Sequence, residues 1–574
     1  MGIKHFFHWF KKEFDGNIYK MRKGQDLAFV NVSIDNLMID MNGVFHASAQ
    51  KIYEYGNCKP NPRLLKGKKN VIRNNVQTQI KLFDDVCKTI ENLFIMSKPK
   101  KRLILCVDGP APLSKQNQQR QRRFRSALES TGSCPFNSNC ITPGTKFMDY
   151  LTKYIDWYIR KRINEDQEWQ KVEVIFSNEK APGEGEHKII NYIRYYGNKD
   201  DTYCISGVDA DLIMLALGTH MPKFYILRED MYDFDIDFLC VDIGAIRPIL
   251  ADKLRWKEND VILFNEKFAI NDFIFLCFMV GNDFLPHIPS IEIIEKGIEL
   301  ILDVYKETGV IYGHITREIN DRVEFLPIPL QNFLSTIGNY EKENLESKLA
   351  KKDFFPDPLL ENCATETSYG KWDVDIEKYK NEYFSSSFPK LTDEKILCHD
   401  YLEGMQWVLS YYTRGVPNWK WNFRYHYAPC ASVLSKHVKT FRFPIYTKTI
   451  PSTPFQQLLC VLPPKSADLI PEPLCYLLTD KNSPLKDQCP ETFEIDLRGK
   501  RKEWEGIVIL PMVNFNLVRD CYLKVLSKIS NVDLKRNIIG HSYIYEYIPT
   551  LPGVFRSYYG DIDRCCVTTK NIDL

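Results

Sequence analysis

Three short apolar runs early in the chain end on an aspartate: NLMID at Asp40, RLILCVD at Asp108 and TYCISGVD at Asp209. Two more, VEVIFS ending at Ser177 and KFYIL ending at Leu227, have the same β-rich character and also close at a polar turn. Longer amphipathic stretches, residues 76–96 and 144–162 among them, lie between these runs. Strand-like runs that alternate with helix-like segments require an α/β domain whose central sheet is mostly parallel and flanked by helices. In such sheets ligands gather beyond the carboxyl ends of the strands, so the strand-end aspartates are expected to converge.

Four further acids fall on turns beside these runs. Glu184 and Glu186 flank Gly185 in APGEGEHKII, Asp211 follows Asp209 in GVDAD, and Asp283 lies in GNDFLPHIP. A glycine-rich turn opening a helix attracts anions, yet this one is filled with carboxylates. Two ionised carboxylates about 4 Å apart repel by roughly 4 kcal/mol at an effective dielectric near 20, so seven together must take up protons or cations. Oxygen donors without Cys or His suit Mg²⁺ or Mn²⁺ and disfavour zinc. Two such ions would serve an in-line phosphodiester displacement.

The 574 residues carry 76 basic and 74 acidic side chains, a formal net charge of +2, so a polyanion site must come from local clustering. One cluster is KQNQQRQRRFR, immediately after the DGPAP turn that follows Asp108. On a helix Lys115, Gln119, Arg122 and Arg123 share one face, three cations and an amide beside the acids.

A hydrophobic content of 44% in a chain this long indicates two or more domains. From residue 310 to 393 the sequence turns rich in Lys, Glu, Asn and Pro, and is read as a connector with helical pieces. A densely aromatic stretch follows over residues 401–424. Seventeen cysteines without a CxxC pair are expected to be reduced, mostly buried thiols of a cytosolic or similar compartment. The amino terminus lacks a signal-peptide core, and the longest clean apolar run, residues 273–280, is too short to span a membrane. Residues 98–102, KPKKR, are read as a solvated loop and not a nuclear address, which leaves the cytoplasm as the expected location.

With these residues in hand, the chain resembles the Xrn family of 5′→3′ exoribonucleases, relatives of the flap-endonuclease and PIN-like nucleases. MGIKHFFHWF, LMIDMNGVFH, CVDGPAPLSKQNQQRQRRFR, NCITPGTKFM, APGEGEHKI, GVDADLIML and GNDFLPHIP resemble the family's successive blocks. QWVLSYYTRGVPNWKWNFRYHYAP, PFQQLLCVLPP, LLTDKNSP and FEIDLRGKRKEWEGIVILP resemble its second conserved region. The resemblance implies a nuclease domain over residues 1–305, a connector over 306–395, and a mainly helical second region over 396–574 that packs against the first and completes the active-site channel. It places metal ligands on Asp40, Asp108, Glu184, Glu186, Asp209, Asp211 and Asp283, and a pocket for a 5′-terminal phosphate on Lys115, Gln119, Arg122 and Arg123. It also implies bases stacked on His46 and on either Trp419 or Trp421. The implied activity is processive, Mg²⁺- or Mn²⁺-dependent degradation of 5′-monophosphorylated single-stranded RNA to mononucleotides in RNA decay, with a decapping activity as the partner that supplies such ends. Only residues 531–574 follow the second region, where larger cytoplasmic members carry further domains, so a catalytic core without that scaffolding is expected.

Two other readings compete. A flap-type DNA 5′-nuclease would follow its last metal-binding aspartate with a glycine-rich helix-hairpin-helix that grips duplex phosphates. Asp283 is followed instead by FLPHIPSIEIIEKGIELI, without that glycine spacing. An inactive RNA-binding protein would have lost one or more of the seven acids, and all are present.

Overall fold

The β-rich runs form the middle of one nine-stranded sheet in the computed structural model, which describes residues 3, 5–58, 74–129, 136–230, 235–257, 262–293, 296–351 and 354–574. Residues 1, 2 and 4 of the amino-terminal motif lie outside the described residues. In chain order the strands are β1 (Ile18–Arg22), β2 (Asn36–Asp40), β3 (Arg102–Cys106), β4 (Glu173–Ser177), β5 (Tyr203–Ser206), β6 (Phe224–Glu229), β7 (Ile236–Asp242), β8 (Ser542–Tyr547) and β9 (Val567–Ile572). They lie side by side as β1-β7-β6-β5-β2-β3-β4-β8-β9. The five central strands are mutually parallel, as the alternating pattern requires. The outer four are antiparallel to their neighbours. Sequence reading finds the central five and misses the outer four, because half-solvated strands such as SYIYEY and VTTKNI carry no continuous apolar run.

Both faces of the sheet are covered. Leu37, Ile39, Leu103, Leu105, Val174 and Phe176 turn to one side, against Val86 and Ile90 of α2 and Leu151 and Ile155 of α4. Here α1 is Met41–Tyr53, α2 Val76–Ser97, α3 Leu113–Glu129 and α4 Lys146–Glu165. Met38, Ile104, Ile175 and Ile205 turn to the other side, against α5 (Gly185–Tyr196), α6 (Asp211–Gly218) and α7 (Glu266–Cys277). Each fully buried Val, Leu, Ile, Phe or Met side chain there contributes roughly 1.5–3 kcal/mol. This second core continues without a break into Tyr401, Met405, Trp407 and Val408 of α8 (Glu394–Arg414), so the later region packs directly on the sheet's helical layer.

Between α7 and α8 the chain builds further helices, Pro327–Asn339 and Ile376–Ser387 among them, and two small antiparallel strand pairs. The buried Asp272 carboxylate of α7 ties this segment down by accepting from the Ile315 and Thr316 backbone N–H groups and the Thr316 hydroxyl at 3.2, 2.5 and 2.6 Å. The carboxyl-terminal strands return to the first region. β8 pairs with β4, Ile544 opposite Ile175, and β9 pairs with β8. Ser542–Tyr547 and Val567–Ile572 of the span 396–574 therefore extend one side of the nuclease sheet. Among the described residues no helix is long and apolar enough to cross a membrane, and none of the described cysteines is disulfide-bonded.

Candidate active site

All seven acids stand at the carboxyl end of the parallel strands or on turns beside it. Asp40 ends β2 and occupies the N-cap of α1; Glu184 occupies the N-cap of α5, and Glu186 lies in its first turn. Strands β3 and β5 end at Cys106 and Ser206, so Asp108 and Asp209 sit on the turns past them and not on the strands. Asp211 opens α6, and Asp283 follows the short turn Phe278–Val280 after α7.

Glycine makes the convergence possible. A Cβ on Gly185 would lie 2.7 Å from Asp40 Oδ1 and 2.9 Å from the Cys106 carbonyl oxygen, so any other residue would push α5 away from the acids. With glycine in place, the Gly185 N–H donates to Asp108 Oδ1 at 2.7 Å, and the positive end of α5 faces the cluster. Gly183, at a φ of +107°, supplies the left-handed turn that brings the chain there.

The electrostatics follow from this crowding. Burial, then the charges of Asp108 and Asp209, push the Asp40 carboxyl well above the usual range. Burial and the surrounding carboxylates do the same to Glu186, and Glu184 is also raised by burial. Asp211 is pushed up to about 7 by burial and by Asp283. Asp40 Oδ1 and Glu186 Oε2 are buried oxygens with no hydrogen-bond partner. An all-oxygen donor set with partnerless buried carboxylate oxygens fits a hard divalent cation such as Mg²⁺ or Mn²⁺. Among the described residues no three acidic, histidine or cysteine side chains are close enough together to hold an ion as they stand. The cation seated among them is an ammonium. Lys115 Nζ lies 2.5 Å from Glu184 Oε2 and 2.7 Å from Asp283 Oδ2. Burial works against its charge, but Asp283, Glu184 and Glu186 outweigh it and hold Lys115 well above its ordinary range.

This divides the four residues expected to share one phosphate pocket. They do lie on one helix, α3, but Lys115 is turned into the acids. Gln119 is buried and faces Gln457, whose amide donates to its oxygen at 3.4 Å. Arg123 is buried too, with Nη1 donating to the Asn139 carbonyl at 3.2 Å and Nε lacking any acceptor. Burial and the neighbouring Arg122 charge pull its guanidinium down to about 9, still protonated at neutral pH. Arg122 is exposed. His46 lies on α1, four residues after Asn42 and on the same face. Burial and the Arg122 and Arg123 charges drive it down to about 3, so it is a neutral ring that feels both the arginines and Asp209.

The two tryptophans separate cleanly. Trp421, half-buried itself, stacks on Trp407 at 4.9 Å and 22° and packs against Gly404 at the edge of the core. Trp419 is half-buried, and its backbone spans two other segments: its carbonyl accepts from Leu113 N–H at the start of α3, and its N–H donates to Thr449 Oγ1. No ring contact among the described residues involves Trp419.

Two residues of the site were invisible to sequence reasoning. Asn42 clasps Asp108 from both sides, Nδ2 donating to its carboxylate at 2.9 Å and Oδ1 accepting from its N–H at 3.0 Å. Its position two residues after Asp40 was the available signal. Tyr411 of α8 donates to Glu184 Oε1 at 2.8 Å, and nothing in its aromatic-rich surroundings marks it out.

Comparison with known proteins matches the chain to a family. The model described as "XRN 5'-3' exonuclease N-terminus" matches residues 1–230, and the one described as "Xrn1 helical domain" matches residues 263–369 and 372–549. The Drosophila melanogaster protein named 5'-3' exoribonuclease 2 homolog is 29% identical, over 95% of this chain and 73% of that protein. The 5'-3' exoribonucleases 1 of Saccharomyces cerevisiae and Homo sapiens are each 29% identical, over 98% and 100% of this chain. The chain spans 46% and 37% of those two proteins.

Proposed function

The chain belongs to the XRN 5'-3' exonuclease family, and from that premise we propose that it is a divalent-metal-dependent exoribonuclease that shortens single-stranded RNA from a 5′-monophosphate. The observation that carries this reading is the buried Lys115 ammonium paired with Glu184 and Asp283 at the acidic end of the sheet, on the same helix as Gln119, Arg122 and Arg123. A hydrolytic centre and a recognition pocket for an anionic end then share one helix.

Asp40, Asp108, Glu184, Glu186, Asp209, Asp211 and Asp283 would hold two Mg²⁺ or Mn²⁺ ions. Bound there, such ions supply an activated water and neutralise the leaving oxygen of the phosphodiester. The chain's own groups do the rest. Arg122 and Arg123 take the 5′-phosphate in charge-assisted hydrogen bonds, which sets how far the RNA enters. His46 and Trp419 stack the first bases, a sequence-tolerant contact worth about 1–3 kcal/mol per base. Cleavage that leaves phosphate on the shortened RNA regenerates the end that the pocket binds, so successive cuts proceed without release. The required ends come from a decapping reaction or any other that yields a 5′-monophosphate, and the cytoplasm is the setting that fits the reduced cysteines.

The test is to incubate the protein with Mg²⁺ and single-stranded RNA bearing a 5′-monophosphate, a 5′-hydroxyl or a cap. Mononucleotides from the first substrate alone are expected, and Asp209→Asn is expected to lower that rate by several orders of magnitude. Internal fragments, or equal decay of all three substrates, would refute the reading.

A further inference from the structure

Glu184 is gripped at both oxygens, from opposite parts of the chain. Oε2 faces the Lys115 ammonium at 2.5 Å, where the cluster's positive charge resides. Oε1, the other oxygen, accepts the Tyr411 hydroxyl at 2.8 Å. Tyr411 has no freedom to leave. Its ring is buried and lies flat on His187, centroids 3.6 Å apart at 7°, with Trp407 and Phe284 against it at 5.1 and 5.6 Å. His187 sits in the first turn of α5, three residues after Glu184, where burial drives it well below its ordinary range and keeps it neutral. The stack therefore joins α5, which carries the acids, to α8 of the helical region.

We propose that Tyr411 is a positioning residue that withholds one oxygen of Glu184, so that a bound cation meets a single carboxylate oxygen and the site favours a small ion over a large one. This rests on the reading of the acids as a divalent-cation site. The chemistry is specific: Mg²⁺ requires near-octahedral coordination at about 2.0–2.1 Å and usually keeps several waters, whereas Ca²⁺ accepts more oxygens, including both of one carboxylate. A hydroxyl fixed on Oε1 takes up one of its lone pairs and disfavours bidentate binding. Lys115 and Tyr411 act on different oxygens, so displacement of the ammonium by a divalent cation frees Oε2 and leaves Oε1 engaged. Glu186 Oε2, two residues on, is buried without a hydrogen-bond partner and carries no such restriction.

Tyr411→Phe keeps the ring, its stack on His187 and its volume, and deletes only the hydroxyl. Dissociation constants for Mg²⁺ and Ca²⁺ are measured by titration calorimetry on the RNA-free protein, wild type and variant. The variant is expected to move the Mg²⁺/Ca²⁺ affinity ratio toward Ca²⁺ by about tenfold, the size of one lost hydrogen bond to a charged group. In a Glu184→Gln background the same substitution should leave the ratio unchanged, because the oxygen it releases no longer belongs to a carboxylate. An unchanged ratio in Tyr411→Phe with normal wild-type binding would overturn the proposal. Absence of saturable divalent-cation binding by the wild type would overturn the underlying reading instead. A variant unfolded under conditions where the wild type is folded would show that the hydroxyl serves stability, and would also overturn it.

Discussion

Lys115 Nζ and Glu184 Oε2 lie 2.5 Å apart in a site that the sequence divides into a metal centre and a separate phosphate pocket. The residue assigned to the pocket is the counter-ion of the centre. An ammonium between Glu184 and Asp283 satisfies carboxylates that otherwise have to protonate or repel one another.

Lys115→Met should therefore make the fold depend on metal. Removing one partner of a buried ion pair costs about 3–5 kcal/mol, so the variant should unfold at clearly lower urea than the wild type in EDTA at pH 8. Mn²⁺ should recover more of that difference in the variant than in the wild type. Equal midpoints in EDTA would mean that the ammonium contributes nothing to holding the acids.

The two arginines should separate into distinct roles. Arg122 is exposed, and Arg122→Ala should lower the preference for 5′-monophosphate over 5′-hydroxyl RNA by at least tenfold while leaving the melting temperature unchanged. Arg123 is buried on the Asn139 carbonyl, so Arg123→Ala should lose the same preference and also about 1–3 kcal/mol of stability. Retained preference in the double variant would show that α3 does not read the end.

Trp419→Ala and His46→Ala should shorten the run of nucleotides removed per binding event, with little change in thermal stability. Trp421→Ala removes a half-buried ring stacked on Trp407 and should destabilise measurably, by less than the roughly 3–5 kcal/mol of a fully buried ring. The comparison is between product ladders under single-encounter conditions and denaturant melts. If Trp421→Ala stayed stable while degrading in short bursts, the two tryptophans would have to exchange roles.

Metal affinity should depend on pH below neutrality. Burial and the Asp283 charge raise Asp211 to about 7 in the fold, against 3.8 in the unfolded chain. A carboxyl raised in this way contributes stability that is complete below about pH 4 and is lost as pH rises through about 7. Asp40 and Glu186, also raised, act in the same direction. The acids' contribution to the stability of the metal-free protein should accordingly fall from pH 4 to 7. It is opposed in the same window by buried histidines such as His46 and His187 that stay neutral in the fold. Cation binding at pH 6 should expel protons that are no longer released at pH 9. Calorimetry in two buffers of different ionisation heat counts those protons, and zero release at pH 6 would exclude raised carboxyls at the site. Asp211→Asn should reduce the count.

Sequence alone determined the parallel centre of the sheet and the identity of the acids. Strands buried on both faces read as continuous apolar runs, and polar turns at their carboxyl ends mark where a ligand can be met. The glycine at 185 was legible as a turn, though its reason, the 2.7 Å approach to Asp40 Oδ1, was not. Tertiary structure alone decided what depends on long-range contact. The outer strand β8 finds its place only by pairing with β4, more than 360 residues earlier, and β9 by pairing with β8. Trp419 and Trp421, two residues apart in PNWKW, differ only in which one the Trp407 ring covers. Tyr411 is one aromatic residue among many until the stack on His187 sets its hydroxyl against Glu184. Local pattern carries periodicity and residue type, whereas the partner of a given oxygen is set by segments that meet only once the core has closed.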